Sequence, residues 1–414
     1  MLKVFYLFFV IAISFGGNFH LGIVTPRQIA AVFMTLICAI HFSVIKNYIN
    51  KYVFLYLFYL LFVAISSYYD NSIDKFLRNL VAQNFVAIAC YGSIIYYYHK
   101  THSFNVILYC LLFCGIINMV VCLLQYVGNP VGFQLGYMFI GADEVMANRH
   151  MEQLMDGTGS GYLLGMRGDA VHNGYFQMIM PFLLTYTYLR CSKKNMIYKA
   201  VFYILLLFLF VTILLIQERS CILFSLGVYG IFVYKNFKKV SSERKIATVF
   251  LIAIFALILY SYVYEIIDSY LQNSRFENRD DNLREALLNN TLTYIENNPL
   301  LGGMASFMRK TGFPPHNIFL NAFVEAGIFG FILSIIIYVG QLKTTKKIIG
   351  QPQTEMIAYT FIAYSLNSLL HNDSILSGDA IAWMLWGMIF AIYKKTLNRN
   401  IANNKTFKDN IYFQ

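Results

Sequence analysis

Residues 200–216 read AVFYILLLFLFVTILLI, a run without one charged or amide side chain. A helix needs about 20 mostly apolar residues to cross a bilayer core of about 30 Å. Comparable runs recur along the chain, at approximately 2–18, 28–45, 53–68, 80–98, 104–126, 172–190, 199–216, 220–235, 246–264, 316–340, 355–371 and 379–394. They are continuous rather than alternating, so they predict helices and not the strands of a barrel. The balance agrees: 58% of the residues are hydrophobic and 13% charged, against about 25% charged in a soluble domain. Too little charge remains to cover a water-soluble surface, which excludes a soluble globule, a disordered chain and a nucleic-acid-binding protein. The expected fold class is an all-α polytopic membrane protein with about 12 transmembrane helices. The first run is followed by Asn18, Phe19, His20 and Leu21 rather than a small-residue cleavage site, so it is expected to stay as a span.

Charge orients the spans. With the N-terminus in the cytoplasm, inner segments and span ends hold 21 of the 32 Lys and Arg residues, opposed by Glu243, Glu355 and Asp409 alone. The outer side keeps 11 basic and 18 acidic residues. The net charge of +11 is therefore a split of +18 inside and −7 outside, the positive-inside pattern. Both termini fall in the cytoplasm, and the basic balance reports topology rather than affinity for nucleic acid.

This reading divides the chain into five spans over 1–126, a long outer loop over 127–171, four spans over 172–264, a second long outer loop over 265–315, three spans over 316–394 and a cytoplasmic tail over 395–414. Long loops without a function are uncommon, so the outer face is the expected working face. The seven cysteines lie in spans or at their edges, with no disulfide or metal spacing. No internal repeat, Walker loop or Gly-rich nucleotide fingerprint occurs. The final residues Asp409, Asn410, Ile411, Tyr412, Phe413 and Gln414 resemble the remnant of a protease site and carry no functional weight.

The most informative stretch is residues 299–330, PLLGGMASFMRKTGFPPHNIFLNAFVEAGIFG. Pro314 and Pro315 end the second loop and prime a helix. His316 then sits at the membrane surface, where an ordinary histidine suits proton transfer near neutrality. Asn317, Asn321 and Glu325, four apart, form a polar stripe on an apolar helix. Such groups face a cavity or a partner because hydrocarbon penalises them. The bland alternative has Asn317 capping the helix and Glu325 paired for packing. Arg219, in the tight turn Gln217, Glu218, Arg219, Ser220, lies at headgroup depth, where a guanidinium either grips a phosphate or anchors the interface. A helix is expected over 281–296, with Arg284 in its first turn and Arg279 just before it. The first loop supplies Arg149 and Arg167, and ends at His172. Asn173 and Gln177 follow as a second polar stripe.

These segments, in this order, resemble the O-antigen ligase and Wzy-type polymerase superfamily. Residues 217–226 (QERSCILFSL) are similar to its arginine turn at the head of a span, and residues 298–304 (NPLLGGM) to its PLLG element. Residues 316–330 are similar to its His-Asn, nine residues, Gly-x-x-Gly pattern, and residues 167–181 (RGDAVHNGYFQMIMP) to its segment entering the span before the arginine turn. The resemblance implies a GT-C-like glycosyltransferase that uses undecaprenyl-diphosphate-linked glycans at the periplasmic face of the bacterial inner membrane, with no cofactor and no metal. It implies Arg219 and Arg284 as diphosphate-binding residues and His316 as catalytic base. Arg149, Arg167, His172, Arg279, Asn317, Asn321 and Glu325 are the candidate substrate contacts. The implied partners are a lipid-linked donor and acceptor, membrane lipid and a chain-length regulator. Three functions stand open: a polymerase joining repeat units, which is preferred, a ligase transferring glycan to lipid A core, and a lipid-linked glycan flippase.

Overall fold

The computed structural model describes residues 2–15, 25–138, 148, 151–152, 163–167, 170–191, 195–238, 280–351, 354–371 and 375–411. All regular structure among them is helical. In chain order the helices are α1 (Leu2–Phe15), α2 (Pro26–Ile40), α3 (Phe42–Ile45), α4 (Lys51–Tyr69), α5 (Ile73–Asn79), α6 (Phe85–Thr101), α7 (Asn105–Tyr126) and α8 (Pro130–Met138). They continue with α9 (Ala170–Met178), α10 (Met180–Arg190), α11 (Met196–Ile216), α12 (Arg219–Phe237), α13 (Asp280–Asn297), α14 (Met304–Thr311), α15 (Ile318–Lys346), α16 (Glu355–Asn367) and α17 (Ala380–Ile411).

Six of these helical segments are long and apolar enough to cross a membrane, or seven if a pair bent by 79° at His41 counts as one. Twelve were expected. The ninth expected span, 246–264, lies outside the described residues. The sixth, 172–190, is two short helices that meet at Ile179, because Pro181 has no N–H to continue the ladder. The second bends where the His41 ring stacks on Tyr96 at 4.2 Å. The last continues as helix to Ile411, well into the segment read as a tail.

The packing is inverted relative to a soluble protein. Leu207, Phe208, Leu223 and Ile231 on α11 and α12 are exposed, as lipid-facing side chains are. The interior is aromatic: Trp383, Trp386, Tyr6, Tyr56 and Tyr59 are fully buried. Helix α6 packs against α2 and α17, and α4 against α15, so N-terminal helices pack directly against C-terminal ones.

Buried polar groups tie loops to this bundle. Asn118 Nδ2 donates to Asn173 Oδ1 at 2.7 Å and to Gln177 Oε1 at 3.1 Å, while the Met166 amide donates to Asn118 Oδ1 at 2.8 Å. Asn173 Nδ2 donates to the Leu163 carbonyl at 2.7 Å. The polar stripe on the sixth expected span is thus an internal clamp on the end of the first long loop.

Helix α15 breaks at Ala326 (φ −142°) and Gly327 (φ +61°, ψ −156°), the latter a region open essentially to glycine alone. The break frees backbone groups that hydrocarbon cannot satisfy. The segment after α13 satisfies them: the Gly303 amide donates to the Val324 carbonyl at 2.7 Å, and the Ile328 amide donates to the Pro299 carbonyl at 3.0 Å. The approach is so close that a Cβ on Gly327 would lie 2.0 Å from the Leu300 carbonyl oxygen, and one on Gly302 2.4 Å from that of Val324. Gly327→Ala is therefore expected to lower the stability of the detergent-solubilised protein by more than about 2 kcal/mol. Gly227→Ala serves as control, because its added methyl meets nothing within 4 Å. Thermal unfolding followed by size-exclusion chromatography measures both.

Candidate active site

Two helix starts meet at the turn after α16. The Ile318 amide, opening α15, donates to the Ser368 carbonyl at 3.2 Å. Asn317 caps α15 through the Phe319 and Leu320 amides at 2.9 and 3.2 Å, and its Nδ2 donates to the Leu369 carbonyl at 2.8 Å. From the other side Asn367 Nδ2 donates to Cys221 Sγ on α12 at 3.2 Å. His371 closes the turn, buried, with Nε2 2.9 Å from Ser220 Oγ and 3.7 Å from Glu218 Oε2. Its ring centre lies 6.0 Å from that of His316, which is exposed.

The neighbourhood of Arg219 is thereby joined to that of His316. Arg219 is the half-buried first residue of α12, between Glu218 at 3% exposure and Ser220 at 6%. The N-terminal ends of α12 and α15 come together at this turn, and helix starts favour negative charge.

A cleft opens beside this turn, with about 1270 Å³ of empty space that includes its mouth. His172, Asn321 and Glu325 line it, as does Pro314 two residues before His316. Half-buried Glu325 accepts a hydrogen bond from the Tyr59 hydroxyl of α4. Asn321 is 8% exposed, and its Oδ1 has no hydrogen-bond partner. The third wall is α14. Asp70, at the end of α4, accepts from the Ser306 amide at 3.0 Å and from Arg309 Nη2 at 3.3 Å. The Tyr294 hydroxyl of α13 donates to the Gly303 carbonyl at 2.7 Å. Burial, joined by the nearby Asp70 carboxylate, raises that hydroxyl above its ordinary range.

A family model described as O-antigen ligase matches residues 204–335. Over this stretch the chain is similar to the O-antigen ligase family. The resemblance to the O-antigen ligase and Wzy-type superfamily holds, and the match does not separate ligase from polymerase. No curated protein matches the chain. The matched stretch contains Arg219, Arg284, His316, Asn317, Asn321 and Glu325, and it ends eleven residues past Val324, beyond the break in α15.

The sequence-predicted residues divide accordingly. His316 and Arg219 share one turn, while Asn321, Glu325 and His172 share the cleft. Asn317 is a helix cap that ties two elements together. Arg167 donates through Nη1 to the Ile13 carbonyl at 3.2 Å and to that of Ser14, and its guanidinium lies 5.1 Å from the centre of the Phe176 ring. These contacts tie Arg167 to the end of α1. Arg284 belongs to α13, observed at Asp280–Asn297 where a helix over 281–296 was expected, but its side chain lies outside the described residues. Arg149 and Arg279 lie outside them altogether.

Sequence reasoning missed His371, Tyr59 and Lys75. His371 and Lys75 carried a signal, an ionisable group at the outer end of an expected span. Tyr59 was one of 32 tyrosines.

His371 is buried and 2.9 Å from Ser220 Oγ, whereas His316 is exposed. His371→Ala is expected to cost about 1–3 kcal/mol of stability. Exposed His316→Ala should stay within about 0.5 kcal/mol. Differential scanning fluorimetry in detergent compares the two.

Proposed function

We propose that the protein is an O-antigen polymerase of the GT-C-like kind. It joins undecaprenyl-diphosphate-linked repeat units at the periplasmic face of the inner membrane. One observation supports this most: within the matched stretch, exposed His316 and the Arg219 turn meet where two helix starts converge.

A hydroxyl of the acceptor repeat unit attacks the anomeric carbon of the lipid-linked growing chain. The new glycosidic bond forms as the bond to the diphosphate breaks, and undecaprenyl diphosphate leaves. His316 takes the hydroxyl proton. Arg219 holds the diphosphate, with Arg284 brought down from α13 as its second arginine. A guanidinium matches phosphate oxygens in pairs, and the helix starts add partial positive charge where negative charge develops. The excess of inner positive charge supports the assigned orientation. The chemistry needs neither metal nor nucleotide sugar, and a chain-length regulator is the protein partner proposed.

The ligase reading draws support from the family's own description. It differs only in the acceptor, lipid A core instead of a repeat unit. A flippase needs charged groups along a path through the bundle, whereas Arg219, His316 and His371 gather at helix ends.

In a deletion strain, the wild-type gene is expected to restore the lipopolysaccharide ladder on a gel. Genes carrying His316→Ala or Arg219→Ala should leave core with a single repeat unit despite normal protein levels. Core without any repeat unit, with lipid-linked polymer accumulating, makes the protein a ligase. Full ladders from both variants overturn the enzymatic reading.

A further inference from the structure

We propose that the cleft between α4, α5 and α15 is the binding site of the acceptor glycan, and that residues before the matched stretch help select the sugar. This rests on the transferase reading above.

Its size fits, since ligand sites commonly measure about 300–1,000 Å³ and the cavity inside the cleft measures about 390 Å³. Its wall is chemically distinctive. Between α5 and α6 the chain forms a five-residue π-helical turn, Leu80–Asn84. Such wide turns are rare and frequent at functional sites. Widening the helix brings Asn79, Gln83 and Asn84 to one side, and all three line the cleft. Asn84 is held in place by the Tyr56 hydroxyl. Asn79 and Gln83 are exposed on a helical segment otherwise apolar enough to span a membrane. Amides on a lipid face are costly, and a polar cleft accounts for them.

Across the cleft stands the buried Asn321 Oδ1, which has no hydrogen-bond partner. An acceptor left unmatched favours a partner, and a sugar hydroxyl supplies the missing donor. Glu325 stands one turn away on the same helix, and Lys75 lies at the rim. Amides, a carboxylate and hydroxyls beside the rings of Tyr59 and Phe76 suit the hydroxyls and apolar faces of a glycan.

The acceptor is the occupant rather than the donor's head. Among the described lining residues Lys75 is the one cation, and amides and hydroxyls outnumber it, a lining that suits sugar hydroxyls better than a diphosphate. The cleft also reaches Pro314, two residues from His316, and the acceptor is the substrate whose hydroxyl must arrive there. Asn79 and Gln83 precede residue 204, where the family match begins. One wall of the sugar site thus comes from a different part of the chain than the arginine and histidine, while Asn321 and Glu325 on the opposite wall belong to the matched stretch.

The test uses the full chain in nanodiscs with a lipid-linked chain of several repeat units as donor and, varied separately, a single repeat unit on a non-cleavable phosphonate lipid as acceptor, which cannot serve as donor. The double variant Asn79→Ala/Gln83→Ala and the blocking variant Gln83→Trp are compared with wild type. Both should raise KM for the acceptor at least fivefold, leaving KM for the donor and the thermal midpoint unchanged. An unchanged acceptor KM in an active, folded variant overturns the inference, and so does a rise in donor KM instead. Wild-type protein without transferase activity overturns the transferase reading alone. In that case, titration with the free repeat-unit oligosaccharide, released by mild acid, decides the cleft separately. Saturable binding weakened at least fivefold by both variants supports it, and binding that is absent or unaltered overturns it.

Discussion

The break in α15 is the constraint on which the outer half of the molecule depends. A helix in hydrocarbon keeps its backbone groups paired with one another, and α15 gives this up at Ala326 and Gly327. The turn from Pro299 to Gly303 enters the break and restores the pairing from outside, through two backbone hydrogen bonds. That contact fixes where α13 and α14 can lie, because they flank the inserted segment. It also sets Glu325 at the lip of the break, against Tyr59 and facing the cleft. Glycine is required on both sides because each backbone occupies the space of the other's Cβ.

The turn after α16 plays the complementary part. Its carbonyls and His371 hold the starts of α12 and α15 together, so Arg219 and His316, 97 positions apart, come to one place. Ordinary interior contacts achieve this: a cap, an amide on a thiol, a histidine on a buried carboxylate. Removing His371 threatens the assembly before it threatens the chemistry. The exposed residues are the reverse, since they contribute little to the fold and stand where a substrate can reach them.

Much was legible from one dimension. The helix expected over 281–296 appears as Asp280–Asn297, because its apolar spacing and polar flanks are local properties. The stripe Asn321–Glu325 was read as cavity-facing, and both residues line the cleft. Other polar residues looked equally suggestive and serve the interior. Asn173 and Gln177 clamp a loop, Asn317 caps a helix, and Arg167 grips the carbonyls ending α1. Sequence spacing shows that such groups share a face. It does not show whether that face meets a protein backbone or an open cleft.

The sequence by itself determined that the chain is helical and apolar enough for a membrane. Hydropathy is summed along a segment and charge is sorted by loop, so both can be read without knowing any contact. Its motifs also named the O-antigen ligase-type superfamily, since the arginine turn, PLLG and His-Asn patterns are local strings. Tertiary structure alone decided which groups became neighbours: PLLGG in the break of α15, His371 beside Ser220 and Glu218, and Tyr59 on Glu325. These pairs are separated by tens to hundreds of residues, and burial and backbone satisfaction chose among the geometries open to them. The cleft is likewise a property of how α4, α5, α14 and α15 meet, because a void belongs to no residue.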